Sequence, residues 1–165
     1  MIKKLVLLAA VILPMFASAQ TLKIGLVDTN EIIGKMPETA AAQQTLNDAQ
    51  KKYQDELQRI EQEYQRQVED LQNMKEDELP AIRERKIRQV QETEQKAQVF
   101  QQQAYQDIQK QHDELMTPVV QKVRKAIESV GQENGYTLIQ DIGSSLYFSA
   151  PVEDITPIVK KKLGL

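Results

Sequence analysis

The chain predicts an α+β fold that is mostly α: a long antiparallel helical hairpin standing on a small β-strand body. Three observations predict it. Leu46, Leu57, Val68 and Leu79 stand eleven residues apart; Ala49, Ile60 and Leu71 repeat that spacing, and Tyr53 and Tyr64 begin a third row. Pro80 then interrupts the helical pattern. Short runs rich in β-branched residues lie only near the two ends of the chain. An eleven-residue repeat gives about 3.67 residues per turn, close to the ~3.6 of a straight α-helix. The rods are therefore nearly straight and carry one narrow apolar stripe. Such a stripe cannot wrap a globular core; it must lie along another helix.

Residues 1–19 have the pattern of a cleaved secretory signal peptide. Lys3 and Lys4 precede the apolar run 5–15, and Ala17-Ser18-Ala19 supplies a small-residue cleavage site. The run is short for a membrane span. The mature chain then begins at Gln20, and the expected location is the periplasm. Residues 21–37 open with Leu22, Ile24 and Leu26 alternating with Lys23 and Gly25, which reads as a strand. A helical turn over 30–34 ends at Met36-Pro37.

The arm occupies 38–117. Its outgoing helix starts beside Pro37 and Glu38, suited to a positive helix end, and is expected to reach Leu79. That is about 60 Å at ~1.5 Å per residue. Pro80 restricts Leu79 and cannot sit quietly inside a helix, so the tip is expected near 76–81. The returning helix has its own eleven-spaced rows, Ala97, Ile108, Val119, Val130 and Thr93, Ala104, Leu115, Ala126. Matching periods allow the arms to pack antiparallel. At Pro118 the helix either bends, or ends and restarts with Thr117 as cap. Asn134-Gly135 closes it.

The body comprises 20–37 and 118–165. The runs 136–141 and 146–149, around Gly143-Ser144-Ser145, read as a β-hairpin. Thr156-Pro157 opens a last helix with Lys160, Lys161 and Lys162 near its negative end. Three short strands and two short helices bury little surface alone, so the body is expected to oligomerise.

Composition narrows the function. There are no cysteines, hence no disulfides, no thiolate chemistry and no Cys-based metal site. The 21 Lys+Arg against 24 Asp+Glu give −3, and loss of the two signal lysines makes the mature product −5. An acidic balance argues against nucleic-acid binding, which needs a basic surface. The single histidine, His112, sits in a polar helical stretch and reads as a surface or seam residue. No Gly-rich phosphate loop, acid/base pair or metal-ligand spacing is present, so no enzyme and no cofactor is expected.

Several short stretches carry a resemblance. They are Ile24-Gly25-Leu26-Val27-Asp28, Leu57-Gln58-Arg59-Ile60-Glu61, Leu71-Gln72-Asn73-Met74-Lys75, Gln95-Lys96-Ala97-Gln98-Val99-Phe100 and Asp154-Ile155-Thr156. In that order the mature chain resembles the Skp/OmpH family of periplasmic chaperones. The resemblance implies a homotrimer whose strands assemble around a three-fold axis, with three helical hairpins enclosing a cavity. It also implies an ATP-independent holdase that keeps unfolded outer-membrane proteins from aggregating before insertion. The best-known members are strongly basic, whereas this mature product is acidic, and Pro118 is not a feature associated with that position. The alternative is a structural coiled-coil adaptor of an envelope or export assembly; such proteins usually carry longer flanking β-domains.

A holdase needs dispersed apolar groups, because a large patch would aggregate the chaperone itself. Val99 and Tyr105 lie outside the Ala97, Phe100, Ala104, Ile108 stripe and are the candidate client contacts, with adaptable Met74 near the tip. Arg83, Arg85, Lys86 and Arg88 make a soluble helix start; their functional counterpart is weak contact with lipid head groups or acidic client patches. Residues 38–79 sum to −6, while 81–117 are neutral.

Overall fold

A computed structural model describes residues 22–149 and 152–165; the signal-like segment 1–19 lies outside the described residues. Strand β1 (Ile24–Val27) leads into helix α1 (Thr29–Lys35). Asp28 caps that helix, its carboxylate accepting from the Glu31 N–H at 2.8 Å. Met36 is buried, and Pro37 stands at the first position of helix α2 (Pro37–Gln72), where a missing donor costs nothing. Helix α3 (Pro80–Asn134) likewise starts on a proline and runs 55 residues, about 80 Å. Gly135 ends it at φ 67°, and the Tyr136 N–H reaches back to the Gly131 carbonyl at 3.0 Å. Strand β2 (Leu138–Asp141), a 3₁₀ turn (Ile142–Ser144), strand β3 (Glu153–Asp154) and helix α4 (Thr156–Leu163) complete the chain.

The long helices double back as an antiparallel hairpin. Glu38 pairs with Lys122 near the body, Tyr53 with Asp107 midway, and Glu63 with Lys96 farther out. Near the tip the Lys86 ammonium donates to the Asp70 carbonyl at 3.4 Å. The predicted stripes face inward, with Leu46, Ile60, Thr93 and Ala104 buried between the arms.

Three expectations need correction. Helix α2 stops at Gln72, seven residues before Leu79, and the turn spans 73–79. Leu79 is 65 % exposed, so the last member of its row has no facing arm to pack on. It serves instead as the extended residue before α3. Secondly, α3 passes through Pro118 without ending, which removes the reading of Thr117 as a cap. Val119, Val123, Ala126 and Val130 are held in the body core, and that packing outweighs the lost hydrogen bond.

The third correction is the β-hairpin. Residues 146–149 form no strand, and the sheet is parallel with order β2-β1-β3. Ile24 to Val27 pair with Leu138 to Asp141, while Gly25 and Leu26 pair with Glu153 and Asp154. The Gly-Ser-Ser segment is a tight turn gathered by one carboxylate. Asp141 accepts from the Gly143 N–H at 2.7 Å and from both the N–H and hydroxyl of Thr29, tying β2 to the start of α1. These bonds hold the Asp141 carboxyl below its ordinary range, with Thr29 the main cause.

The core lies where α1, α4 and the lower third of α3 meet one face of the sheet. Val27, Ile32, Met36, Val123, Val130, Ile155 and Val159 fill it. Gly25 allows close packing there: a Cβ would sit 3.2 Å from the Tyr136 ring and 3.3 Å from Ile155, which would have to shift.

Candidate functional site

Two of the surfaces outside the core and the hairpin seam bear on function. One is a waist halfway along the arm. Tyr53 of α2 and Phe100 of α3 meet with ring centroids 5.9 Å apart at 57°, a tilted geometry that aromatic quadrupoles favour. Small neighbours, Ala49 and Ala104, leave the rings as the main bulk at this level. Depressions therefore open on both sides of Tyr53. The larger, about 460 Å³, is walled by Phe100, Gln103, Gln106, Asp107 and Lys110. The other, about 440 Å³, lies against Asp48, Lys52 and Gln111. Tyr53 donates its hydroxyl to the Asp107 carboxylate, and Gln111 adds a second donor at 3.2 Å.

The second is the set of apolar residues that the body leaves exposed outside its core. Leu22 and Leu138 are exposed, and the consecutive residues Leu146, Tyr147 and Phe148 are 105 %, 83 % and 51 % exposed. No charged residue occurs from 142 to 152. Open strand edges and contiguous apolar groups without charges are what isolated soluble chains avoid.

The predicted contact residues are spread along the arm. Met74 is half-buried in the tip turn. Val99 is 46 % and Tyr105 69 % exposed. Six positions on a helix rotate a side chain by about 240°, so these two face opposite flanks of the hairpin. Val99 shares its flank with Gln103, Gln106 and Lys110; Tyr105 shares the other with Gln101 and Gln109. Of the tip bases, Arg83 donates to the Lys75 carbonyl and Lys86 to the Asp70 carbonyl, both at 3.4 Å, and Arg88 pairs with Glu84. Arg85 is exposed. Two of the four, Arg83 and Lys86, therefore help fold the tip, while Arg88 pairs along its own helix; neither arrangement prevents them from meeting an anion. His112 is exposed beside Asp113.

Sequence reasoning placed Tyr53 on the stripe but did not find its partner. Asp107 is one carboxylate among many polar residues, and only the seam geometry singles it out. The 146–148 segment was visible as apolar, but was read as already paired.

Among the described residues, no helix is long and apolar enough to cross a membrane, and no cluster of His, Cys, Asp or Glu is arranged to hold a metal. A family model described as outer membrane protein (OmpH-like) matches residues 23–163. No curated protein matches the chain. A crystal structure from Caulobacter crescentus CB15, described as a candidate outer membrane chaperone (OmpH-like), aligns with a TM-score of 0.73 at 16 % identity. The alignment covers 85 % of this chain and 82 % of that one; at such identity the likeness is one of fold.

Proposed function

The chain belongs to the OmpH-like outer membrane protein family, and from that premise we propose that it is an ATP-independent periplasmic holdase for unfolded outer-membrane proteins. In this reading the body, 20–37 with 118–165, assembles as a homotrimer. Three arms, 38–117, then enclose a space in which a client is held until insertion. The leader 1–19 directs export and is removed.

One contrast carries the proposal. The arms expose their large apolar groups singly, as at Val99 and Tyr105, whereas the body exposes three in succession at 146–148. Dispersed groups give many weak contacts that sum through avidity without making the protein itself sticky. A contiguous uncharged segment beside an open sheet calls for a permanent cover. Two further copies of the same small body are the natural cover, since one copy buries so little. Met74, Val99 and Tyr105 are the proposed client contacts. The bases Arg83, Arg85, Lys86 and Arg88 are the proposed meeting point for acidic client patches or lipid head groups.

The test is the aggregation of a urea-diluted transmembrane β-barrel protein, followed by light scattering, with the molar mass of the purified chain measured in parallel. Suppression at stoichiometric amounts by a species of three chains is expected. An adaptor would leave the scattering unchanged, and that result would remove the chaperone reading.

A further inference from the structure

We propose that the waist notch on the Val99 flank is a subsite for one aromatic side chain of an extended client strand; this deepens, and rests on, the chaperone reading. The notch is a shallow, open depression of about 460 Å³, large enough to take part of one side chain. Its floor is the tilted Tyr53–Phe100 pair. A third ring entering there meets ring edges and faces at the offsets aromatic groups prefer. Lys110 stands on the wall, its ammonium 3.8 Å from Glu114 and 71 % exposed, free to approach the face of an incoming ring. The Tyr53 hydroxyl is already satisfied by Asp107, so burying it under a ligand leaves no orphaned donor.

The surroundings fit an extended chain. Val99, Gln103, Gln106 and Lys110 follow one another along the flank at helical spacing, an apolar group and then amides and an amine. That row runs three turns, about 16 Å. Alternate side chains of a strand fall about 6.7 Å apart, so one client ring in the notch leaves the next same-side group near Val99. Client backbone groups then meet Gln103 and Gln106. Transmembrane β-strands supply this chemistry, because they alternate apolar and polar residues and carry aromatic girdles. On the opposite flank Tyr105 stands between Gln101 and Gln109 as a single exposed aromatic, a weaker contact than a ring pair.

The chain has neither Trp nor Cys, which makes the test direct. The probe is a synthetic strand peptide of about ten residues, the length that crosses a bilayer, with one Trp. A nitroxide is attached to the full chain at Gln106→Cys, or at Gln109→Cys on the Tyr105 flank. Stronger quenching of the bound Trp from position 106 is expected. Phe100→Leu, which keeps an apolar seam residue, is expected to weaken the Trp peptide about three- to tenfold and to leave the same peptide carrying Leu unchanged. Equal quenching from both positions, or equal weakening of both peptides, overturns the notch. If such a protein still suppresses barrel aggregation, only the subsite is lost; if it suppresses none, the chaperone reading falls with it.

Discussion

The Tyr53 hydroxyl on one arm donates to the Asp107 carboxylate on the other, across 54 residues of chain. It is a neutral-to-charged bond at the level of the Tyr53–Phe100 contact. The bond lowers the Asp107 carboxyl from its ordinary 3.8, with Gln111 a smaller cause, and raises the Tyr53 hydroxyl from its ordinary 10.0. Each shift has a sign. The Asp107 contribution is present above 3.8 and lost as pH falls through the depressed value. The Tyr53 contribution is present below 10.0 and lost as pH rises through the raised one. The thermal advantage of the native chain over Tyr53→Phe should therefore be widest between those limits and shrink at both ends. Circular-dichroism melts across pH at constant salt measure it. An advantage independent of pH would mean that the bond contributes no charge-linked stability.

A second charged junction holds the C-terminal helix. Glu31 of α1 receives both Lys160 of α4 and Lys35, each at 2.7 Å, and its carboxyl is lowered to about 2, Lys160 being the largest cause. Its contribution is present above 4.5 and lost as pH falls from there toward 2. The group is solvent-reachable, so salt screens it. Glu31→Gln is expected to speed hydrogen exchange at α4 amides while leaving the seam amides of α2 unchanged. Acceleration in both places would mean that α4 is coupled to the arm rather than latched locally.

Ile155 shows how little the body can lose. It is fully buried between the Gly25 strand and the helices, and its N–H donates to the Leu26 carbonyl at 2.8 Å. Ile155→Ala keeps that hydrogen bond and opens a cavity, a change that costs about 2–5 kcal/mol in well-packed cores. For so small a body this approaches the whole stability of a domain. The expected result is a body that unfolds at much lower denaturant than the hairpin, read as a second transition in urea.

The arm was legible in the sequence because its constraint is local and repeated. Leu46, Ile60, Thr93 and Ala104 each occupy a fixed step of one helical period, and each is buried where the period places it. The end of α2 was not legible: no proline or glycine separates Gln72 from Leu79. The sheet failed for a different reason. Strand β3 is two exposed acids, Glu153 and Asp154, which carry no strand pattern and are paired only because β1 lies beside them. The Gly-Ser-Ser turn looked like a hairpin because nothing local reveals that Asp141 would turn its carboxylate on Gly143 and Thr29. At the waist, Tyr53 and Phe100 were visible as stripe residues, while the hollow beside them depends on the neighbouring alanines and on the second arm.

The 146–148 segment should separate assembly from folding. None of its side chains belongs to the body core. Replacing Leu146, Tyr147 and Phe148 together by Ser is therefore expected to leave the helical content and the hairpin melt unchanged while reducing the molar mass to that of one chain. Each aromatic withdrawn from an interface forfeits about 150–250 Å² of burial, so the loss of two aromatics and a leucine is enough to dissolve a modest contact. Light scattering after size exclusion measures the mass. A variant that keeps the native mass would place the contact between copies elsewhere.

Val99 and Tyr105 should behave differently, because the helix turns them to opposite flanks. Val99→Ser removes apolar surface beside the aromatic notch. At about 0.8 kcal/mol per buried methylene-sized group, two such groups limit the loss to about tenfold in client affinity. A mobile client that covers Val99 only part of the time loses less. Tyr105→Ser removes a contact on the other flank, away from the aromatic notch, and its effect should be the smaller of the two. The double variant should show the sum of the two losses, because the two residues share no partner. Suppression of barrel aggregation as a function of chaperone concentration gives all three values. Should Tyr105→Ser prove the more damaging single change, the client lies along the other flank, and the direction in which the arms face their cargo is the reverse of that proposed.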